Sequence, residues 1–202
     1  MYRHHPQTLL VKEIVDGGEI GELRLIRGSF CYTNTRQDDL RLRPEFGGGC
    51  LWDVGCYPVS YTRYITGNEP ISVWGQQLIG PTGVDVFFAG QLQFPGDVVA
   101  QFDCSFITPF FTRMEIIGTQ GKISIPVPFK PGMREVILHE RGGHVQQIKV
   151  KGIRLYSGEV EDIEDAILLG KSPRINLQDS LGNIVTLDAL IKSANQSMHV
   201  SL

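Results

Sequence analysis

The 202-residue sequence has no run of like charge, no long apolar stretch and no paired-cysteine motif. Each absence excludes a class of protein. Lys and Arg number 19 against 22 Asp and Glu, for a net charge of −3, so no basic surface exists to neutralise a row of phosphates, and nucleic acid is not an expected partner. The longest apolar stretches, such as Val84 to Gly90, fall far short of the ~20 residues of a membrane helix. Arg3, His4, His5 and Pro6 stand where a signal peptide would be apolar. A cytoplasmic protein with no membrane partner is expected. Cys31, Cys50, Cys56 and Cys104 are scattered without a CxxC pair and read as reduced core thiols. The histidines His4, His5, His139, His144 and His199 show no ligand spacing, so no metal is expected. Nor is there a nucleotide fingerprint. Gly47-Gly48-Gly49-Cys50-Leu51-Trp52 lacks the third glycine of GxGxxG, and Gly118-Thr119-Gln120-Gly121-Lys122 lacks the spacing and hydroxyl of a Walker loop.

What is present is the composition of a folded domain, 42% hydrophobic and 20% charged. A chain of this length buries roughly 70% of its unfolded surface. Pro6 suits a first helical position, Leu10, Val11, Ile14 and Val15 recur at helical spacing, and Gly17-Gly18 stops the run. A strand is predicted over 22–32, then a polar, Arg- and Asp-rich connection over 33–46 that leads through the glycines to a helix ending near Ile65. Pro58 is tolerated only in a first helical turn, which starts that helix near Cys56 or Tyr57 and leaves Asp53 in the preceding loop. Val84, Val86, Phe88, Leu92 and Phe94 alternate on one face, as do Val98, Ala100, Phe102, Cys104 and Phe106, with Pro95-Gly96-Asp97 as the hairpin between them. Further strands are predicted at 113–117, 122–125, 135–140 and 145–150. Two helices close the chain. Ser157 is expected to cap one whose buried stripe is Val160, Ile163 and Ile167, and Asn176 to cap the other, with Leu181, Ile184, Val185 and Ile191 inward.

Runs of strands flanked by helices give an α+β fold, with a large open, mostly antiparallel sheet and helices packed on one face. Phe87 and Val99 lie opposite the main apolar stripes, so the second face is expected to meet another subunit or domain. Asp53 and Tyr57 are four apart, and a carboxylate beside a phenol is a hydrogen-bond relay suited to a hydroxyl substrate. The plainer alternative is that Asp53 caps the helix and Tyr57 packs. Arg36, Arg41 and Arg43 are candidates to hold an anionic or polyhydroxylated ligand, or are solvated loop residues. Arg3 lies either at a cleft or at the surface.

Four segments, in order along the chain, carry a resemblance. They are Met-Tyr-Arg-His-His-Pro-Gln at 1–7, Arg-Pro-Glu-Phe-Gly-Gly-Gly-Cys-Leu-Trp-Asp-Val-Gly-Cys-Tyr-Pro at 43–58, Ile-Ile-Gly-Thr-Gln-Gly at 116–121 and Asp-Ser-Leu-Gly-Asn-Ile at 179–184. Together they resemble the C-terminal domain of the glucose–fructose oxidoreductase / inositol dehydrogenase family. Tyr57 stands where many members have His, which is similar to the sugar dehydrogenase and dihydrodiol dehydrogenase branch. The resemblance implies an NAD- or NADP-dependent oxidoreductase of sugars or diols, with residues 1–202 as its substrate-binding and oligomerisation domain. It also implies a homodimer or homotetramer built through the sheet. Tyr57 and Asp53 are the implied catalytic residues, with Asp53, Arg41 and Tyr156 at the substrate and Arg3 near the cofactor. The family's N-terminal Rossmann domain and its catalytic lysine are absent from these residues. Met1 then reads as an internal methionine and the fragment alone as inactive. A stand-alone binding or assembly domain, or a regulator derived from the family, is the rival reading.

Overall fold

A computed structural model describes residues 1–36 and 38–202. Helix α1 (Pro6–Asp16) opens the domain, its first turn capped by the His5 ring, which accepts from the Gln7 amide. Strand β1 (Leu23–Thr33) follows, then the irregular connection and helix α2 (Cys56–Thr66). Seven strands come next: β2 (Ser72–Ile79), β3 (Asp85–Phe94), β4 (Val98–Ser105), β5 (Ile107–Gly118), β6 (Gly121–Ile125), β7 (Arg134–Arg141) and β8 (His144–Lys151). Helices α3 (Ser157–Leu169) and α4 (Leu177–Gln196) and the short β9 (Val200–Ser201) end the chain.

The strands form one nine-stranded sheet in the order β8-β7-β6-β5-β1-β4-β3-β2-β9. Every pairing is antiparallel except β1 with β4, whose connection is long enough to include α2 and a hairpin. The α+β class and the open, mostly antiparallel sheet match the sequence reading. The two alternating stripes face the helices, where Phe88, Leu92, Phe94, Ala100, Cys104 and Phe106 are fully buried. Gly28 on β1 allows a close approach of α2 to the sheet, because a Cβ there would lie 2.8 Å from Pro58 Cβ of α2 and 2.5 Å from Met114 Sδ.

Three local expectations are corrected. Asp53 does not lie in a loop: Leu51–Gly55 is a single π-helical turn that runs directly into α2. Pro58 has no N–H for the Val54 carbonyl and its ring crowds that group, and a widened turn relieves both. Ser157 does not cap α3; Tyr156 occupies the cap position and the Ser157 hydroxyl donates to the Arg154 carbonyl at 2.7 Å. The apolar stripes of the last two helices point outward, with Ile163 51%, Ile167 74% and Ile184 52% exposed, and Val160, Leu181 and Val185 exposed as well. Only Ile191 of the expected set is half-buried. The buried side of α4 is instead Thr186, Leu187, Ala189, Leu190 and Ser193, set by the Ser193 hydroxyl accepting from the Gly75 amide of β2 at 3.0 Å. Asn176 does cap α4, accepting from the Asp179 amide at 2.8 Å.

Two of the four signature segments clasp each other. Arg3 is buried, donates to Ser60 Oγ at 3.1 Å, pairs with Asp179 at 3.4 Å and lies 4.2 Å over the Tyr64 ring. Arg63 pairs with Glu69 at 2.6 Å and approaches Asp179 at 3.9 Å. Gly182 is the residue that admits this cluster, since a Cβ there would meet Arg63 Nη2 at 2.3 Å.

Burial raises the pKa of Tyr2, Tyr32, Tyr57, Tyr61 and Tyr64, five of the six tyrosines. A raised folded-state pKa means stability is complete below the unfolded phenol value of ~10 and is lost as pH rises beyond it, when only the unfolded chain ionises. Tyrosinate absorbance is therefore expected to appear together with loss of circular dichroism in an alkaline titration. Ionisation of most phenols near pH ~10 with the fold intact would contradict this.

Candidate functional site

The site lies on the helix side of the sheet, where the end of β1, the 33–46 connection and the π turn meet. They enclose a cavity of about 510 Å³ whose lining includes Phe30, Tyr32, Arg36, Asp39, Arg41, Asp53, Tyr57, Lys130 and Tyr156. Four of the five predicted site residues, Tyr57, Asp53, Arg41 and Tyr156, come together here. Arg3 does not join them, because its guanidinium is turned into the clasp with Asp179. Arg43 is also outside the lining, and its carbonyl receives the Gly48 amide at 3.0 Å.

Asp53 is held at both carboxylate oxygens. Tyr32 donates to Oδ2 at 2.9 Å and Arg41 Nε to Oδ1 at 2.8 Å, while Arg41 Nη1 reaches Asp39 Oδ1 at 3.2 Å. Hydrogen bonding to Asp53, then its charge, raises the Arg41 pKa, and burial followed by the Asp53 hydrogen bond raises that of Tyr32. The backbone amide of Arg41 holds Asp39 below the usual carboxylate range. The Tyr57 ring is clamped by Phe30, Tyr2 and Phe129 at centroid distances of 5.2, 5.6 and 5.7 Å, and the Tyr2 hydroxyl donates to the Tyr57 carbonyl at 3.0 Å. Its own hydroxyl has no hydrogen-bond partner among the described residues. Burial, reinforced by the charges of Cys56 and Asp53, pushes the phenol up to about 12. It is therefore protonated at neutral pH and free to donate to a ligand.

The glycine turn positions this arrangement from below. Gly49 has φ 126°, and Asp85 of β3 fills the space beside it, accepting from the Leu51 amide at 2.7 Å and the Cys50 thiol at 3.0 Å. A dinucleotide pyrophosphate does not fit there: the amide that would face it is taken by a buried carboxylate, which would repel an anion.

Sequence reasoning missed Tyr32 and Lys130. Tyr32 is legible only as the last helix-facing residue of β1, after Ile26, Gly28 and Phe30. Lys130 sits in the proline-rich 126–131 loop, which carries no periodicity to place it.

A phenol and an anchored carboxylate share one cavity on the helix-covered side of an open mixed sheet. The chain belongs to the GFO/IDH/MocA family, whose C-terminal domain it matches over residues 8–124. It is 29% identical to D-xylose 1-dehydrogenase (NADP(+)) 2 of Haloferax volcanii over 100% of this chain and 63% of that protein. It is 30% identical to trans-1,2-dihydrobenzene-1,2-diol dehydrogenase of Homo sapiens over 62% of this chain and 38% of that one. The solved 3-ketoreductase of Actinomadura kijaniata, in complex with NADP and TDP-benzene, superposes with a TM-score of 0.90 at 27% identity, over 96% of this chain and 60% of that one. These relatives are oxidoreductases of the branch that Tyr57 indicated. The chain spans about three fifths of the length of the curated relatives it matches. No helix among the described residues is long and apolar enough to cross a membrane.

Proposed function

We propose that this chain is the substrate-binding and assembly domain of an NAD(P)-dependent oxidoreductase acting on a hydroxyl or carbonyl of a sugar or diol. The observation that carries the reading is the unpartnered, protonated Tyr57 phenol beside the Tyr32–Asp53–Arg41 network. Tyr57 exchanges the proton of the substrate oxygen. Asp53, fixed on both oxygens, orients a neighbouring substrate hydroxyl, and Arg41 and Tyr156 close the cavity around it. A nicotinamide held by another domain of the full-length protein would supply or accept the hydride, as the NADP bound to the solved 3-ketoreductase suggests. The outward apolar faces of α3 and α4 fit contact with such a domain. Calorimetry on residues 1–202 alone is expected to detect no micromolar NADP binding, whereas the full-length protein binds it and turns over D-xylose or a related sugar. Tight NADP binding by residues 1–202 alone, or a full-length protein without nicotinamide-dependent activity on any sugar or diol, would overturn the reading. The latter result would leave the non-catalytic alternative.

Assembly follows from the other face of the sheet. Trp74, Phe87, Ala89 and Val99 are half-buried there, Phe111 is exposed, and no helix among the described residues covers them. A two-fold contact between sheets, centred on the stretch from Phe87 to Ser105, would bury this surface. Light scattering is expected to give a dimer or tetramer that Gln93→Lys with Gln101→Lys disperses by placing like charges across the axis. A monomer at high micromolar concentration would rule out the sheet contact.

A further inference from the structure

Resting on the reading above, we propose that Lys130 and Arg36 select a polyhydroxylated substrate bearing a negative charge, a sugar carboxylate or a sugar phosphate, over the neutral sugar. The charged side chains lining the cavity are those of Arg36, Arg41, Lys130, Asp39 and Asp53, and the Met1 amino group, also in the lining, pairs with Glu159 at 2.8 Å. Arg41 is the cation that pairs with both carboxylates, at 2.8 and 3.2 Å, and Tyr32 donates to Asp53 as well. No carboxylate lies within 4.0 Å of Lys130 or Arg36 among the described residues, so two cations face the cavity without a counter-ion. Their positions are defined by neighbours. Lys130 Nζ lies 5.8 Å from the centroid of Phe30, the same ring that packs edge-on against Tyr57. The Arg36 amide donates to Asn34 Oδ1 at 3.2 Å, which anchors the loop that presents its side chain.

Three cationic side chains face two carboxylates across the lining, a net charge of +1, so the cavity attracts an anion, and the exposed Lys130 and Arg36 are the cations whose donors a ligand can engage. A neutral sugar satisfies Tyr57 and Asp53 but leaves Lys130 and Arg36 to water. A sugar acid or phosphate engages all four, with its hydroxyl at the phenol and its anion at the cations. Charge-assisted hydrogen bonds of this type are expected to give a tenfold or larger preference.

The test is calorimetric titration of the full-length native protein with D-glucose, D-glucuronate and D-glucose 6-phosphate at low and high ionic strength. At least one anion is expected to bind tenfold or more tightly than D-glucose, and which of the two does so distinguishes carboxylate from phosphate. Lys130→Met and Arg36→Met are each expected to reduce that ratio, as is added salt. Lys149→Met, on the edge strand β8 outside the cavity, is expected to retain the ratio. Equal affinity for all three ligands, no binding of either anion, or a preference that survives both substitutions overturns the proposal. Failure of the oxidoreductase reading is seen separately, as absence of NAD(P)-dependent turnover, and anion preference stands or falls without it.

Discussion

Tyr57→Phe in the full-length protein is expected to lower kcat by about a hundredfold or more, the scale of a lost general acid–base group, while the domain stays folded. The ring is what packs: Phe30, Tyr2 and Phe129 clamp it edge-on and face-on, and phenylalanine keeps each contact. The hydroxyl bonds to nothing else among the described residues, so its removal leaves no buried partner unsatisfied. Structural loss and catalytic loss are therefore separable at this position. Steady-state kinetics with matched thermal unfolding curves measure both. An unchanged kcat would return Tyr57 to the packing role, and a large fall in Tm would show that the hydroxyl has a structural partner.

Gly49→Ala is expected to destabilise the domain by on the order of 3 kcal/mol, which for a chain of this size lowers Tm by roughly 10 °C. Two causes act together. The backbone at φ 126° is strained for any residue with a side chain, and a Cβ would stand 2.0 Å from Asp85 Oδ1. The carboxylate must then move away from the Leu51 amide, which loses its partner at the start of the π turn. Asp85→Ala alone is expected to cost about 1–3 kcal/mol through that same amide. The two substitutions are coupled, because removing the carboxylate also removes the atom that the new Cβ would meet. The double variant should be clearly less destabilised than the sum of the singles. Denaturant unfolding of the four proteins decides it, and additivity within about 0.5 kcal/mol would show that the collision is not what makes Gly49 necessary.

The particular residues show how far local information reached. The stripes from Val84 to Phe94 and from Val98 to Phe106 identified two adjacent strands and their buried face, because alternation along a strand is a local property that survives folding. The start of α2 at Cys56 followed from Pro58, whose missing N–H acts within one turn. The same proline produced the π turn that carries Asp53, but a widened turn differs from a loop only in hydrogen bonds that the sequence does not display. Apolar spacing in α3 and α4 was misleading. It marks a face that avoids water, but does not say whether the cover is the domain's own sheet or something else.

The site divides along the same line. The Asp53–Tyr57 pair and Arg41 were singled out because they lie within a short stretch of chain that carries the family resemblance, and the fold brings them to one cavity. Tyr32 and Lys130 joined them only through long-range packing, one at the end of a strand and one in a loop nearly a hundred residues further on. Arg3 was legible as a charge of uncertain setting, and the fold turned it inward because Asp179, far away in sequence, came within ion-pair distance. The sequence by itself determined the fold class and the spacing of the local pair, since periodicity, turn chemistry and residue type are short-range, while its four motif segments carried the family resemblance. The tertiary structure alone decided which charges are already paired and which are left to meet a ligand, because charge balance in a cavity is set by every chain segment that lines it.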